Sequence, residues 1–156
     1  MKSLLASLAL TTALTIPGLA CARPVTLITT LNSYSGNNAF LAYYVTDAQG
    51  KYVGSLWMAG GRTNYYKHLR DWFRATKGNP AEINGVTGAS VGSGSTLKVS
   101  VELADALFDA GYTLHIDAAA EDMRESPNDV AVPLTTKGAG VAVRGRGYVA
   151  SFSYNM

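Results

Sequence analysis

The chain reads as a mainly β protein, an antiparallel β-sandwich of seven to eight short strands with one amphipathic helix at about residues 65–76. Three observations predict this. Apolar residues recur with a period of two along most of the chain, the spacing of strands with one buried and one wetted face. Turn residues, chiefly Gly, Asp and Pro, separate these runs at short intervals, as a sandwich requires. One segment shifts to helical spacing.

The N-terminus carries Lys2, an apolar run from Leu4 to Ile16, the helix-breaking pair Pro17-Gly18 and the small-residue triplet Ala20-Cys21-Ala22. This pattern predicts a secretory signal peptide over residues 1–22. The run of about 13 residues is too short to cross roughly 30 Å of hydrocarbon as a permanent helix, so release is expected and the mature chain is not membrane-embedded. Cys21 offers lipoprotein acylation as a rival processing route, against which Gly18 stands where a large aliphatic residue is usual. Cleavage after Ala22 removes the sole cysteine, leaving no disulfide and no thiol chemistry. About 134 residues remain as residues 23–156, enough for a single sandwich domain with its own core. Loss of Lys2 takes Lys plus Arg from 13 to 12 against 11 acids, a balance that calls for no nucleic acid.

Strands are predicted in order at Val25 to Thr30, Phe40 to Thr46, Tyr52 to Met58, Leu97 to Leu103, Tyr112 to Ala118, Asp129 to Leu134, Ala139 to Val143 and Tyr148 to Tyr154. The clearest is Leu97 to Leu103, where Leu97, Val99, Val101 and Leu103 point one way and Lys98, Ser100 and Glu102 the other. Tyr112, Leu114 and Ile116 repeat this inward set, with Thr113, His115 and Asp117 outward. Asp47-Ala48-Gln49-Gly50 joins the second and third strands as a hairpin, since Gly50 takes positive φ at little steric cost. Asp109-Ala110-Gly111 makes the next bend.

The helical spacing lies in Tyr65, Leu69, Trp72 and Phe73, with Lys67, Arg70, Asp71 and Arg74 on the other face. Asn64 is positioned to cap its start, and Gly78 with Pro80 to end it. Its aromatic face is expected to pack on the sandwich edge. The connection from Lys77 to Ser95 that follows is long for a small domain, which points to function or disorder.

That connection contains Asn84-Gly85-Val86-Thr87-Gly88-Ala89-Ser90. A hydroxyl that a separate enzyme must esterify needs exposure, a segment able to enter that enzyme's cleft and small neighbours. Thr87, Gly88, Ala89 and Ser90 meet those needs. Gly92-Ser93-Gly94-Ser95 adds flexible backbone whose N–H groups could hold a phosphate. Surface loops also contain these residue types for no chemical reason.

Four ordered blocks carry a resemblance over nearly the whole mature chain: Ala42 to Lys51, Lys67 to Arg74, Val86 to Ser90, and Phe108 to Ala119 leading toward Val132-Pro133-Leu134. In these the chain resembles a family of predicted periplasmic proteins of unknown function, often encoded beside PepSY-type membrane proteins and a flavin transferase. The resemblance implies an immunoglobulin-like or flagellar-hook-cap-like sandwich. Residues 84–90 resemble the acceptor motif of flavin transferases: an acidic residue, two variable positions, Ser or Thr, Gly, Ala, then the Thr or Ser that carries FMN. Ser90 then carries the cofactor, with Thr87, Gly88 and Ala89 matching, while Asn84 replaces the acidic residue and loses its charge.

The resemblance thus implies a periplasmic flavin-carrying electron-transfer protein. FMN is joined to it by a phosphoester, with a flavin transferase and a PepSY-type or other membrane redox protein as partners. Such a chain is the transferase's substrate rather than an enzyme. Trp57, Tyr65, Tyr66 and Trp72 are candidates to stack on the ring, or are core aromatics. The alternative is a cofactor-free docking or structural module of a membrane reductase or metal-uptake system. A hydrolase is disfavoured because no histidine accompanies a plausible nucleophile. His68 and His115 lack the further ligands of a metal site and read as solvent-exposed. Glu121-Asp122 and Arg124-Glu125 read as a solvated turn, and Arg144 and Arg146 as a surface hairpin.

Overall fold

The computed structural model describes residues 21–156, so the expected leader lies outside the described residues except for Cys21 and Ala22. The strands are β1 (Ala22–Leu31), β2 (Ala39–Thr46), β3 (Tyr52–Ala59), β4 (Thr87–Gly88), β5 (Thr96–Ala104), β6 (Thr113–Ala120), β7 (Ser126–Pro133) and β8 (Val149–Asn155), with one α-helix, α1 (Arg70–Thr76). They build a three-stranded sheet in the order β5-β1-β8 and a five-stranded sheet in the order β4-β3-β2-β6-β7. All pairings are antiparallel except that of β3 with β4. The predicted sandwich is therefore present.

The inner faces obey the period-two pattern. Val25 and Leu27 of β1 sit opposite Val101 and Val99 of β5, and they pack on Leu41, Tyr43 and Val45 of β2 and Leu114 and Ile116 of β6. Thr29, fully buried on the same face, shares a 2.7 Å hydrogen bond with the Tyr43 hydroxyl, which satisfies both polar groups inside the core. The β2–β3 hairpin turns as predicted. Gly50 has φ 79° and donates to Asp47 O at 2.9 Å, while the Asp47 carboxylate accepts from the Gln49 and Lys51 N–H groups.

Every residue of β2 is buried, which one sandwich core cannot account for. Phe40, Ala42 and Tyr44 face away from that core and lie under a second apolar cluster with Met58, Tyr66, Leu69, Trp72, Ile83 and Ala119. The helical segment thus covers the outer face of the large sheet rather than packing on the sandwich edge. It also divides in two: a 3₁₀ helix, Thr63–His68, precedes α1, with Leu69 (φ −86°, ψ 74°) between them. Asn64 lies inside the 3₁₀ helix and caps nothing, and the left-handed C-terminal position is taken by Lys77 (φ 56°) before Gly78 (φ 68°).

α1 has no side-chain cap of its own. Asp117 of β6 supplies one from across the sheet: Trp72 N–H in the helix's first turn donates to its carboxylate at 2.7 Å. The same carboxylate accepts from Asn128 N–H at 2.8 Å and from the Tyr44 hydroxyl at 3.1 Å. Asp117, expected on a wetted face, is 0% exposed because the helix lies over it. Burial pushes its carboxyl above the ordinary range, while the Trp72 and Asn128 N–H groups pull it back.

The strand expected at Ala139 to Val143 is absent apart from one bridge, Val143 with Phe152. Gly140 adopts φ 76°, and the following loop is drawn inward by the buried Asp129 carboxylate, which accepts from the N–H groups of Gly147, Tyr148 and Val149. The segment still pairs irregularly with β8, through Gly140 N–H to Tyr154 O, Val143 with Phe152 in both directions and Gly145 N–H to Val149 O.

Asp117→Ala strands the Trp72 N–H and Tyr44 hydroxyl beneath a helix that has lost its cap. The expected loss is roughly 2–4 kcal/mol in urea unfolding, with faster amide exchange across Arg70–Thr76. A change under about 0.5 kcal/mol would show that apolar packing alone holds the helix in place.

Candidate functional site

The segment from Asn84 to Ser90 leaves a 3₁₀ turn, Pro80–Ile83, whose start Asn79 caps by accepting from Ala81 N–H at 3.1 Å. Asn84 (φ −63°, ψ 121°) and Gly85 (φ 79°) form the centre of a type II turn, closed by Val86 N–H donating to Ile83 O at 3.1 Å. The Thr87 hydroxyl donates to the same carbonyl at 2.9 Å. The exposed Asn84 therefore sits on a turn whose glycine is demanded by positive φ.

β4 then runs parallel to β3, with Val86 O accepting from Met58 N–H and Gly88 O from Gly60 N–H, both at 2.8 Å. β3 leaves the sheet at Gly60 to enter the helical layer. Val91 takes up the position beside β2, exchanging backbone bonds with Ala39 at 2.7 and 2.9 Å. The pliable loop expected here is instead a pinned sheet edge. Further on, Gly94 N–H donates to Asn32 O, Ser95 N–H to Gly92 O, and Ser93 Oγ bridges the Tyr34 N–H and carbonyl at 2.6 and 2.7 Å. The N–H groups of Gly94 and Ser95 are thus committed to the fold rather than held open for a phosphate.

Between Gly88 and Val91 lie Ala89, exposed, and Ser90, half-buried. The Ser90 Oγ accepts a long hydrogen bond, 3.4 Å, from the Asn38 side-chain amide. Its neighbours Gly88, Ala89 and Gly92 are small, so little side-chain bulk surrounds the half-buried hydroxyl. Gly88 has a separate packing cause: a Cβ there would come within 2.6 Å of Trp57 Cζ2. The Trp57 indole N–H, on that same edge of the ring, is buried with no hydrogen-bond partner among the described residues. The arrangement fits a phosphate ester: a reachable oxygen, small flanking residues, and the Asn38 amide as a donor beside it. Asn38 had no signal in sequence, because only the Ala39–Val91 bridge brings it to Ser90.

The four aromatics separate. Trp72 and Tyr66 are buried in the helix–sheet layer, the former donating to Ser55 Oγ at 2.8 Å and the latter to Gly60 O at 2.9 Å, so neither can stack on a ligand. Trp57 lies under β4. Tyr65 stays half-exposed and stacks on Phe40, centroids 5.4 Å apart at 25°. These two rings line a cleft of about 540 Å³ with His68, Arg70, Ala119, Ala120 and residues 121–125.

The histidines and acids of the turn are not the free surface groups expected. His68 Nδ1 lies 2.6 Å from Glu125 Oε1, and Arg70 pairs with the other Glu125 oxygen. Tyr65 donates to Glu121. His115 is bonded to Thr46 Oγ1 at 2.7 Å and Asn128 Oδ1 at 2.6 Å and stacks on Tyr44. The His68 hydrogen bond, with the Arg70 charge, holds the Glu125 carboxyl below its ordinary 4.5.

The family model for DUF2271, described as a predicted periplasmic protein, matches residues 22–151. The chain belongs to the DUF2271 family. Its compartment is accordingly the periplasm, in agreement with the export leader read from the sequence. Among the described residues of this DUF2271 domain no helix is long and apolar enough to cross a membrane. No curated protein and no solved structure matches it.

Gly88→Ala forces the added methyl against the Trp57 ring, and the expected cost is about 1–3 kcal/mol of stability with a shift in Trp57 fluorescence. Wild-type stability in that variant would mean the edge strand yields freely. For Glu125, a folded-state value below 4.5 means that its contribution is present above pH 4.5 and is lost as pH falls through the depressed value. The stability difference between wild type and Glu125→Gln should therefore be below about 1 kcal/mol at pH 7 and shrink under pH 4.5. A difference that grew on acidification would contradict this pairing.

Proposed function

We propose that this chain is a periplasmic electron carrier holding FMN covalently on Ser90. The observation that supports it best is the Ser90 hydroxyl: partly exposed, flanked by Gly88, Ala89 and Gly92, with a weak 3.4 Å contact from Asn38, within the stretch that resembles a flavin-acceptor motif. Its partners on this reading are a flavin transferase that loads it and a PepSY-type or other membrane redox protein.

In loading, the Ser90 Oγ gives up its proton and bonds to the FMN-side phosphorus of FAD, as the bond from that phosphorus to AMP breaks. AMP leaves and a phosphoester remains. Once attached, the isoalloxazine supplies one- and two-electron redox chemistry. Asn38 is placed to donate its amide N–H to a phosphoester oxygen, and the pinned edge from Thr87 to Val91 keeps the anchor point fixed relative to the large sheet. The rest of the domain acts as a rigid support.

A second reading, the cofactor-free docking module, is favoured by one residue. Asn84 offers an amide at the turn position where the motif has a carboxylate. If a transferase or its Mg²⁺ engages that carboxylate, this chain is a poor substrate.

Co-expression with a periplasmic flavin transferase is expected to yield yellow protein whose intact mass rises by one FMN less one water, and Ser90→Ala should lose the increment. Asn84→Asp should raise the fraction loaded. Colourless wild type together with fully loaded Asn84→Asp would favour the docking module, and a mass increment that survives Ser90→Ala would move the attachment point elsewhere.

A further inference from the structure

We infer that the cleft lined by Phe40 and Tyr65 is the docking site for the isoalloxazine ring tethered at Ser90, an inference that rests on the Ser90 reading above. The Ala39–Val91 bridge sets Ser90 across from Phe40. Ala39 and Val91 both point into the sandwich core, so strand alternation turns Ser90 and Phe40 to the opposite, outer face. The contact of Ser90 with Asn38, two residues before Phe40 on the same face, agrees with that direction. The Phe40 ring is itself a wall of the cleft, which opens on the β6 side of β2, so a tether from Ser90 reaches the cavity by passing over Phe40 on the same outer face.

The lining sets the Phe40 and Tyr65 rings against a polar wall of His68, Arg70, Glu121, Asp122 and Glu125. Ala119, on the outer face, and the backbone of Ala120, whose methyl turns into the sandwich core, line the cleft without a large side chain. Tyr65, backed by its stack on Phe40, offers a half-exposed phenol ring to an electron-poor heterocycle. Arg70, its side chain 62% exposed although paired with Glu125, puts a cation at the rim, where it can face the carbonyl-bearing edge of the ring. The cavity of about 540 Å³ lies within the range of ligand pockets. The neighbouring cavity of about 670 Å³, around Tyr34 and Tyr148, is the competitor. Its two rings meet edge to face, 5.5 Å apart at 89°, and so occupy each other's edges. It shares Met123, Arg124, Glu125 and Pro127 with the first cavity but has neither Phe40 nor Ala119 of the outer sheet face among its lining residues.

The test uses the full chain loaded by a transferase, with intact mass reporting attachment and flavin fluorescence, anisotropy and visible circular dichroism reporting docking. In wild type the ring should be quenched, slow-tumbling and optically active. Tyr65→Leu, which keeps apolar cover on Phe40 but removes the stacking face, should leave the mass unchanged, raise fluorescence several-fold and lower anisotropy. Arg70→Gln should do so more weakly, and Tyr34→Leu in the other cavity should change nothing. Loaded protein whose fluorescence responds to Tyr34→Leu and not to Tyr65→Leu, or to neither, overturns the docking site while leaving attachment at Ser90 standing. Absence of the mass increment in wild type and in Asn84→Asp overturns both.

Discussion

A single buried carboxylate ties the helical layer of this molecule to its large sheet. Asp117 takes three donors from three different elements: the first turn of α1, the start of β7 and the middle of β2. An unpaired carboxylate at that depth would be costly, and it is tolerated because each donor would otherwise be stranded as well. The helix in turn is needed because β2 is apolar on both faces, and Phe40, Ala42 and Tyr44 would otherwise meet water. Covering them requires β3 to end at Gly60 and send the chain over the sheet. Once β3 leaves, the gap beside Ala39 is open, and Val91 fills it. The placement of Ser90 is thus a consequence, several steps removed, of how the large sheet's outer face is covered.

The sandwich was legible because its inner faces follow a local rule. Leu97, Val99, Val101 and Leu103 must point together whatever their partners are, and in β5 all four touch the core. The same rule misplaces Asp117, since alternation assigns a residue to a face and says nothing about what lies over that face. The run Phe40 to Tyr44 held the missing information: with both alternating sets apolar, a second cover was implied, and the aromatic helix was its natural source. The failed strand at Ala139 to Val143 has the opposite cause. Its apolar residues alternate acceptably with small ones, but the loop beyond it is recruited by Asp129, a contact between distant segments that no window of sequence contains.

The candidate site was legible as composition and not as geometry. Two of its glycines have causes unrelated to chemistry: Gly85 sits at φ 79° in a type II turn, and Gly88 lies flat on Trp57. Thr87 closes the turn through Ile83 O. With these accounted for by local structure, Ala89 and Ser90 are left without a turn or packing role, and of the two Ser90 alone carries a side-chain oxygen. The cleft's polar wall was misread for a related reason. Glu121 and Glu125 are ordinary turn acids by sequence, and their partners Tyr65, His68 and Arg70 come from the helical layer more than fifty positions earlier.

A pinned anchor changes what a tethered group can do. On a flexible loop, a ring attached through a ribityl phosphate samples a wide volume, and docking it must overcome the entropy of that freedom. Here the backbone on either side of Ser90 is fixed by bonds to Gly60 and to Ala39, so a group attached at Ser90, as proposed, would start from a set position and direction. For a flavin attached there, as proposed, the effective concentration at sites on the shared outer face would rise accordingly. On the proposed reading, even a cleft with weak affinity for free flavin would hold a tethered one. If the chain is the carrier proposed above, a weak site made sufficient by the anchor would suit it better than a deep pocket, because release of the ring would cost little.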